Sequence, residues 1–272
     1  MTTLKSELRN FPYINVPRIK DVEVILQTQK ASDTYFSRGT GEATKALDEV
    51  EATHREWVRK MIDLSEFPYC YYVHGVTDAI HHWVLTEGRK WHKSEGEYEY
   101  ADMISSGGTE VLDSPLYLSN PSAADGNVLY TDASCPVILD CTYVSSTDIK
   151  TINILERIEQ IFFSFSKGFG LIGQRLGLVY TKEPHPTLHR LKEFENWNYG
   201  GVRTMQLMMD NFAVDTMYNR YRDKQLKICD EYEFTPSDVF YLATTQDSYY
   251  MRRRRIKNIA RICLTPLFGD YI

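Results

Sequence analysis

The sequence lacks several features that would place it in a particular class of protein. Its 272 residues carry only five cysteines, too few for a disulfide framework, and none of them forms a CxxC pair. The net charge of −6 provides no basic excess for displacing counterions from nucleic acid. The sequence has no apolar run near the roughly 18 residues of a membrane span, no signal peptide and no metal-ligand motif. We therefore expect a cytoplasmic protein with no nucleic-acid or membrane partner and no metal.

The composition that remains is that of a folded α/β chain. Apolar residues make up 43% and charged residues 25% of the sequence, which provides enough apolar surface for a core. Apolar periodicity predicts a long helix over 41–64 and a strand, glycine turn and helix over 71–80. Further along, it predicts a strand over 136–140, a helix over 152–160, and strands over 161–165 and 176–180. Strands that alternate with helices predict a mainly parallel sheet covered on both faces.

The alternation of predicted strands and helices ends near Pro184. A second long helix is predicted over 202–213, and the remainder from about 231 to 272 has the pattern of a small α+β cap. We therefore divide the chain into an N-terminal arm over 1–40, a large domain over 41–200, and a long helix with a reduced small domain over 201–272.

The most informative chemistry lies in the segment 164–177, Ser-Phe-Ser-Lys-Gly-Phe-Gly-Leu-Ile-Gly-Gln-Arg-Leu-Gly. Lys167 stands at the end of a predicted buried strand, where desolvation lowers the pKa of an amine and makes its neutral form available to attack a carbonyl. Ser164 and Arg175 supply a hydroxyl and a planar cation, the pairing that a phosphate needs. The alternative reading is a surface lysine in a loop between two strands.

The pattern S-x-S-K-x-x-G-x-x-G-x-R-x-G resembles the cofactor-lysine signature of class I/II aminotransferases, fold-type-I enzymes that use pyridoxal 5′-phosphate (PLP). The resemblance implies a PLP-transferase-like three-layer α/β/α large domain with a mainly parallel sheet and a reduced small α+β C-terminal domain. It also implies that Lys167 holds PLP as a Schiff base, with Ser164 and Arg175 on the phosphate.

Two further segments resemble motifs of this family in the expected order. The turn at Gly75 is similar to the phosphate-binding turn, in which the N–H groups of Val76 and Thr77 and the Thr77 hydroxyl bind an anion at a helix N-terminus. Between this turn and the next motif, Tyr98 is the aromatic expected to stack on the pyridine ring.

The remaining motifs concern the polar edge of the cofactor ring. Asp140-Cys141-Thr142-Tyr143 resembles the family's D-x-A-Y element, which assigns the protonated pyridine nitrogen to Asp140 and the phenolate oxygen to Tyr143. Asn120, in Asn120-Pro121 before a glycine, resembles the asparagine that binds the same oxygen. From the residues alone, Asp140 is also consistent with a strand-end cap.

The family resemblance implies transamination by a homodimer that acts on a small amine or amino acid, with Lys167 moving a proton as general acid and base. The same pocket serves decarboxylases, lyases and racemases, which stay as alternatives. Two readings from other classes are a PLP-binding protein without turnover and an α/β protein without PLP.

One family feature is expected to be absent. Family members carry a C-terminal arginine that binds the substrate α-carboxylate, placed beyond a segment resembling 262–269, and this sequence ends at Ile272. We therefore expect common α-amino acids to be poor substrates. Arg38 and Arg261 are the candidate replacements, and a solvated surface arginine is the alternative for each.

Overall fold

The computed structural model describes residues 8–9, 19–30, 35–37, 39–87, 89–101, 114–130, 135–152 and 157–269. Its helices are α1 (Lys20–Leu26), α2 (Glu42–Val58), α3 (Val76–Glu87), α4 (Pro186–Glu193), α5 (Tyr199–Asn211) and α6 (Thr216–Tyr232). Its strands are β1 (Tyr69–Val73), β2 (His92–Lys93), β3 (Leu116–Ser119), β4 (Val137–Cys141), β5 (Ile158–Ser164), β6 (Gly177–Thr181), β7 (Thr235–Pro236), β8 (Leu242–Thr245), β9 (Arg254–Ile256) and β10 (Ile259–Cys263).

Six strands form the large sheet in the order β1, β6, β5, β4, β3, β2. Neighbouring strands from β2 to β5 are parallel, whereas β6 runs antiparallel to both β5 and β1. Five strands therefore point one way and β6 points the other. Because β4 and β6 are buried along their whole length, the centre of this sheet must be covered on both faces.

Alternate residues of the strands enter two separate cores. Tyr71, Ile138 and Phe162 pack on one face with helices α3 and α4, and their neighbours along each strand, such as Tyr72 and Leu139, pack on the other face with α2 and α5. This period-two division is the geometry of a sheet between two helical layers. The predicted three-layer α/β/α architecture with a mainly parallel sheet is confirmed.

A second, antiparallel sheet lies in the C-terminal part, with strand order β7, β8, β10, β9. Backbone hydrogen bonds join this part to the large sheet: Val239 donates to the carbonyl of Gly126 at 3.0 Å and Phe240 donates to the carbonyl of Ser146 at 3.0 Å. The small α+β part is therefore anchored next to the loops that follow β3 and β4.

The predicted strands and both long helices are present, although the helix predicted over 41–64 ends earlier, at Val58. The helix predicted over 152–160 is wrong at its end, because residues 158–160 already belong to strand β5. Residues 153–156 lie outside the described part of the chain. Helix α6, which is as long as α2, was not predicted, although its buried residues Met217, Tyr221, Ile228 and Tyr232 recur at helical spacing.

No helix in the described ranges is both long and apolar enough to cross a membrane.

Candidate active site

The cofactor residues predicted from the sequence lie around one edge of the large sheet. Strands β1, β3, β4 and β5 run in one direction, so their carboxyl ends meet at that edge. Gly75 follows β1, Asn120 follows β3, Asp140 lies at the end of β4, and Lys167 comes shortly after β5. Ser119 and Asp140 are direct partners in the register between β3 and β4. We take this edge as the candidate active site.

The predicted phosphate turn and Arg175 lie against each other. Gly75 has a φ of 80°, in the left-handed region that favours glycine, and helix α3 begins at the next residue, Val76. A Cβ built on Gly75 would lie 3.0 Å from Nη2 of Arg175, so the guanidinium rests on the bare backbone of the turn. The exposed guanidinium of Arg175 therefore lies beside the positively polarised N-terminus of α3, and such an arrangement binds phosphate.

The serines of the lysine loop add hydroxyl groups beside this turn. Gly177 pairs with Val73 of β1 on one side and with Ser164 of β5 on the other, and this register brings Ser164 beside the turn. The Ser164 hydroxyl accepts a hydrogen bond from the N–H of Ser166 at 3.2 Å, which leaves its own O–H to donate. The buried hydroxyl of Ser166 has no hydrogen-bond partner in the part of the chain that the structure describes. Both hydroxyls can therefore serve a ligand.

Tyr98 contacts the same turn. Its hydroxyl lies 3.3 Å from the hydroxyl of Thr77, in the first turn of α3. The ring predicted to cover the pyridine and the threonine predicted to bind the phosphate are therefore neighbours. The structure brings both to the sheet edge described above.

Asp140 is a buried carboxyl group held by two side chains. The Tyr117 hydroxyl donates to Oδ2 at 2.6 Å, and the N–H and hydroxyl of Thr142 donate to Oδ1 at 2.9 and 2.5 Å. Burial raises the pKa of Asp140 to about 6, with a further contribution from the charge of Glu97, while the bonds from Thr142 and Tyr117 oppose the rise. The group is therefore largely ionised at neutral pH, although it is almost fully buried.

Lys167 lies in a largely desolvated position. Burial lowers the pKa of its amine to about 8, and the nearby charges of Arg261 and Arg175 contribute in the same direction. Asp140 acts in the opposite direction, which indicates that the amine and this carboxyl group share one site. At neutral pH a useful fraction of Lys167 is the neutral nucleophile.

Tyr143 and Arg261 form a second polar pair at this edge. Burial raises the pKa of the Tyr143 phenol, and a hydrogen bond from Arg261 acts against that rise. Arg261 lies on β10 of the small sheet and also donates to the carbonyl of Ala123. The structure therefore places a guanidinium beside Tyr143 and near Lys167. The other candidate, Arg38, lies outside the described residues.

Asn120 occupies the sheet edge but makes a different set of contacts from those expected. Its Nδ2 donates to the carbonyl of Leu129 at 3.0 Å, and its Oδ1 accepts from the N–H of Leu129 at 3.0 Å. Its peptide bond to Pro121 is cis. A hydrogen bond from Asn120 to the cofactor would have to use the second N–H of the same amide, so its binding role stays a prediction.

Sequence reasoning missed two side chains of the site, Tyr117 and Glu97. Tyr117 lies on β3 and binds Asp140, and the pairing of β3 with β4 would have pointed to it once the register was known. Glu97 is buried between Gly96 and Tyr98 in a segment that is rich in glutamate, and nothing in that pattern shows that its side chain faces inwards.

Solved structures share this fold. A histidinol-phosphate aminotransferase from Sinorhizobium meliloti in complex with PLP has a TM-score of 0.62 at 11% identity, covering 92% of this chain and 83% of that chain. A C-S lyase from Staphylococcus hominis has a TM-score of 0.66 at 12% identity, covering 93% and 83%. An L-threonine-O-3-phosphate decarboxylase from Porphyromonas gingivalis has a TM-score of 0.63 at 14% identity, covering 94% and 98%.

These similarities establish the fold, which is the one shared by fold-type-I PLP-dependent enzymes. No protein-family model matches the sequence, and no curated protein matches it significantly. At identities this low the shared fold does not carry an activity across.

Proposed function

We propose that this chain is a PLP-dependent enzyme of the aminotransferase type that binds its cofactor covalently through Lys167. The observation that carries the proposal is the convergence of three groups at one sheet edge: a desolvated lysine, a buried carboxylate and a cationic helix N-terminus. Each of them matches one functional group of PLP, namely the aldehyde, the ring nitrogen and the phosphate.

The residues present fit this cofactor. The Arg175 guanidinium can lie against the turn because residue 75 lacks a side chain, and among the described residues the buried Ser166 hydroxyl has no hydrogen-bond partner. The phosphate would be held by Arg175, Ser164, Thr77 and the N–H groups at the start of α3. Asp140 would hold the ring nitrogen, and Tyr98 would cover the ring.

When bound, PLP supplies an aldehyde that condenses with amines and a ring that accepts the electron pair released at the substrate Cα. The protein contributes placement and proton transfer. Asp140 presents a negative charge in a buried site, where charge interactions are strong. Tyr143 would donate a hydrogen bond to the phenolate oxygen. Lys167, once displaced by the substrate amine, would hold and return the proton at Cα because its pKa of about 8 is close to neutral pH.

We further propose that Arg261 binds the acidic group of the substrate. Its guanidinium contacts Tyr143 and contributes to the pKa of Lys167, which supports a position within reach of a substrate held at Lys167. With Arg261 in this role an α-amino acid would be a good substrate, contrary to the expectation from the sequence. A bidentate guanidinium contact would orient an α-amino acid as well as bind it.

Transamination is distinguished from the alternatives by its products. The purified protein, saturated with PLP, should transfer an isotopically labelled amino group from a donor amino acid to an added 2-oxo acid, as measured by mass spectrometry. Release of carbon dioxide or sulfide without transfer would instead identify a decarboxylase or a C-S lyase. Cofactor binding without any product would identify a binding protein.

The homodimer, the amine or amino-acid substrate and the cytoplasmic location remain predictions. Sedimentation of the PLP-saturated protein would test the first of them. A dimer is expected, and a monomer that turns over substrate would contradict it.

A further inference from the structure

Glu97 is a buried carboxyl group for which the proposed function has no use. Its side chain is 4% exposed. Its oxygens accept hydrogen bonds from the N–H of Ser119 at 2.9 Å, the hydroxyl of Ser119 at 2.5 Å and the N–H of Tyr98 at 2.8 Å. Burial of a carboxylate is costly unless it is hydrogen-bonded, so these three donors explain how the protein tolerates the charge but not why it is there.

The three bonds join two segments of the candidate active site. One is the loop that carries Tyr98, whose hydroxyl meets Thr77 in the phosphate turn. The other is the end of β3, where Ser119 pairs in register with Asp140 and the N–H of Asn120 donates to the Asp140 carbonyl at 3.0 Å. Glu97 therefore lies between the ring expected to cover the cofactor and the strand end beside Asp140.

The donor set requires a carboxylate at this position. Oε1 accepts from the Ser119 hydroxyl and the Tyr98 N–H, and Oε2 accepts from the Ser119 N–H. A glutamine would place its NH₂ group against a backbone N–H in either orientation of the amide. Both oxygens face backbone donors, so a neutral amide of the same shape cannot satisfy the site.

The charge of Glu97 also acts on the residues around it. It contributes to raising the pKa of Asp140, Tyr117 and Tyr143, in each case after burial. Titratable groups that interact electrostatically with Asp140 are Tyr117 on β3, Cys141 on β4, Tyr143 after β4, Lys167 after β5, and Glu97.

We propose that Glu97 is a positioning residue that fixes Tyr98 over the cofactor ring and adds a second buried negative charge beside Asp140, thereby favouring a protonated ring nitrogen. This role rests on the proposed function. Its geometric part depends on the hydrogen bonds to Tyr98 and Ser119, and its electrostatic part depends on the charge. Separate variants can test the two parts.

The test is PLP affinity measured against pH from the visible absorbance of the bound cofactor, in wild type and in Glu97→Gln. We expect Glu97→Gln to weaken affinity at least about tenfold at neutral pH, as expected for the loss of charge-assisted hydrogen bonds. Affinity should fall at acid pH as Asp140 becomes protonated, and we call this fall the acid limb of the profile. Without the nearby charge the pKa of Asp140 falls, so the acid limb should move to lower pH by roughly half a unit or more. A purely structural role would weaken binding without moving that limb.

Two variants complete the comparison. Ser119→Ala removes one donor but keeps the charge of Glu97, so it should weaken affinity and leave the acid limb in place. Glu95→Gln changes an exposed glutamate in the same loop and should match wild type in both respects. If Glu97→Gln does not fold, Glu97→Asp tests the geometric part, because it keeps the charge but shortens the side chain. It should weaken binding, and unchanged binding in Glu97→Asp would overturn the role of Glu97 in fixing Tyr98.

The outcomes separate this inference from the proposed function. If wild type does not bind PLP, the proposed function fails. If wild type binds PLP and Glu97→Gln has the same affinity and the same acid limb, the role of Glu97 is overturned while the proposed function stands. A weakened affinity with an unmoved limb in Glu97→Gln would overturn the electrostatic part.

Discussion

At the scale of one residue, Asp140 is a side chain of the candidate site whose ionisation destabilises the folded protein. Its carboxyl group is buried among Tyr117, Thr142 and Glu97, and ionising it in that place costs free energy. The same charge is what the proposed ring nitrogen requires. A side chain chosen for stability alone would be neutral here, so the carboxyl group is better explained by function than by the strand-end cap considered from the sequence.

Replacing Asp140 with Asn should stabilise the cofactor-free protein while removing most of its activity. The folded-state pKa of about 6 lies above the ordinary 3.8, so the folding penalty is absent at pH 3 and grows as the pH rises through about 6. Asparagine avoids the penalty, which amounts to about 3 kcal/mol at neutral pH. Chemical denaturation at pH 3.5 and 7.5 measures this gain. If Asp140→Asn raised the free energy of unfolding equally at both pH values, the buried charge of Asp140 would not be the cause of the increase.

Replacing Arg175 with Ala should weaken binding of PLP at least about tenfold, because a charge-assisted contact to phosphate contributes about 1.5 to 3 kcal/mol. Binding of pyridoxal, which lacks the phosphate, should change little. Arg190→Ala, on the exposed face of α4, is the matched control. Equal losses for PLP and pyridoxal would place the phosphate elsewhere.

The rate at which Lys167 captures an aldehyde should rise with pH through about 8. The amine reacts in its neutral form, and its lowered pKa of about 8 implies a roughly fivefold increase between pH 7 and 8 that levels off above pH 9. Stopped-flow absorbance after mixing cofactor-free protein with PLP gives this profile. A rate that keeps rising tenfold per pH unit beyond pH 9 would indicate an ordinary, solvated lysine.

At the scale of secondary structure, the turn between β1 and α3 is built around the missing side chain of Gly75. Its positive φ and its contact with the Arg175 guanidinium both depend on glycine. The loop after β5 provides a comparison, because a Cβ built on Gly173 would meet nothing within 4 Å and its φ is not positive.

Replacing Gly75 with Ala should therefore affect both stability and cofactor binding. The left-handed backbone should cost about 1 kcal/mol, and displacement of the guanidinium should lower PLP affinity by roughly tenfold. Gly173→Ala should change neither quantity. Thermal denaturation and PLP titration of the two variants test this, and similar results for both would contradict the proposed phosphate cradle.

Much of this edge could be predicted from the sequence because its residues lie in short local motifs. The glycine turn, the strand that ends in Asp140 and the lysine loop each combine a periodic pattern with a nearby functional group. Glu97 and Tyr117 could not be found in this way, because their contacts depend on which strands are neighbours. The helix predicted over 152–160 is wrong over 158–160, because a short segment with apolar residues does not distinguish a helix from a strand.

At the scale of the whole molecule, the residues of the candidate site come from both sheets. Lys167 follows a strand of the large sheet, whereas Arg261 lies on β10 of the small sheet. The loop after β3 connects them, since the carbonyl of Ala123 accepts a hydrogen bond from Arg261. The C-terminal part therefore contributes a charge to the site and not only a cover for the core.

Replacing Arg261 with Gln should raise KM for an α-amino acid at least about tenfold, because a charge-assisted contact to the carboxylate is lost. A simple amine of similar size, which lacks the carboxylate, should be affected much less. Steady-state kinetics with the two substrates measures the difference. Equal effects on both would assign Arg261 to the support of Tyr143 instead.

Covalent trapping of the cofactor tests the central claim most directly. The PLP-saturated protein should be reduced with borohydride, digested and mapped by mass spectrometry, with Lys182→Ala as a control in which a surface lysine is lost. We predict that the phosphopyridoxyl group is found on Lys167 in wild type and in the control, and that Lys167→Ala gives no labelled peptide. A label on another lysine, or no label in a protein saturated with PLP, would contradict the account.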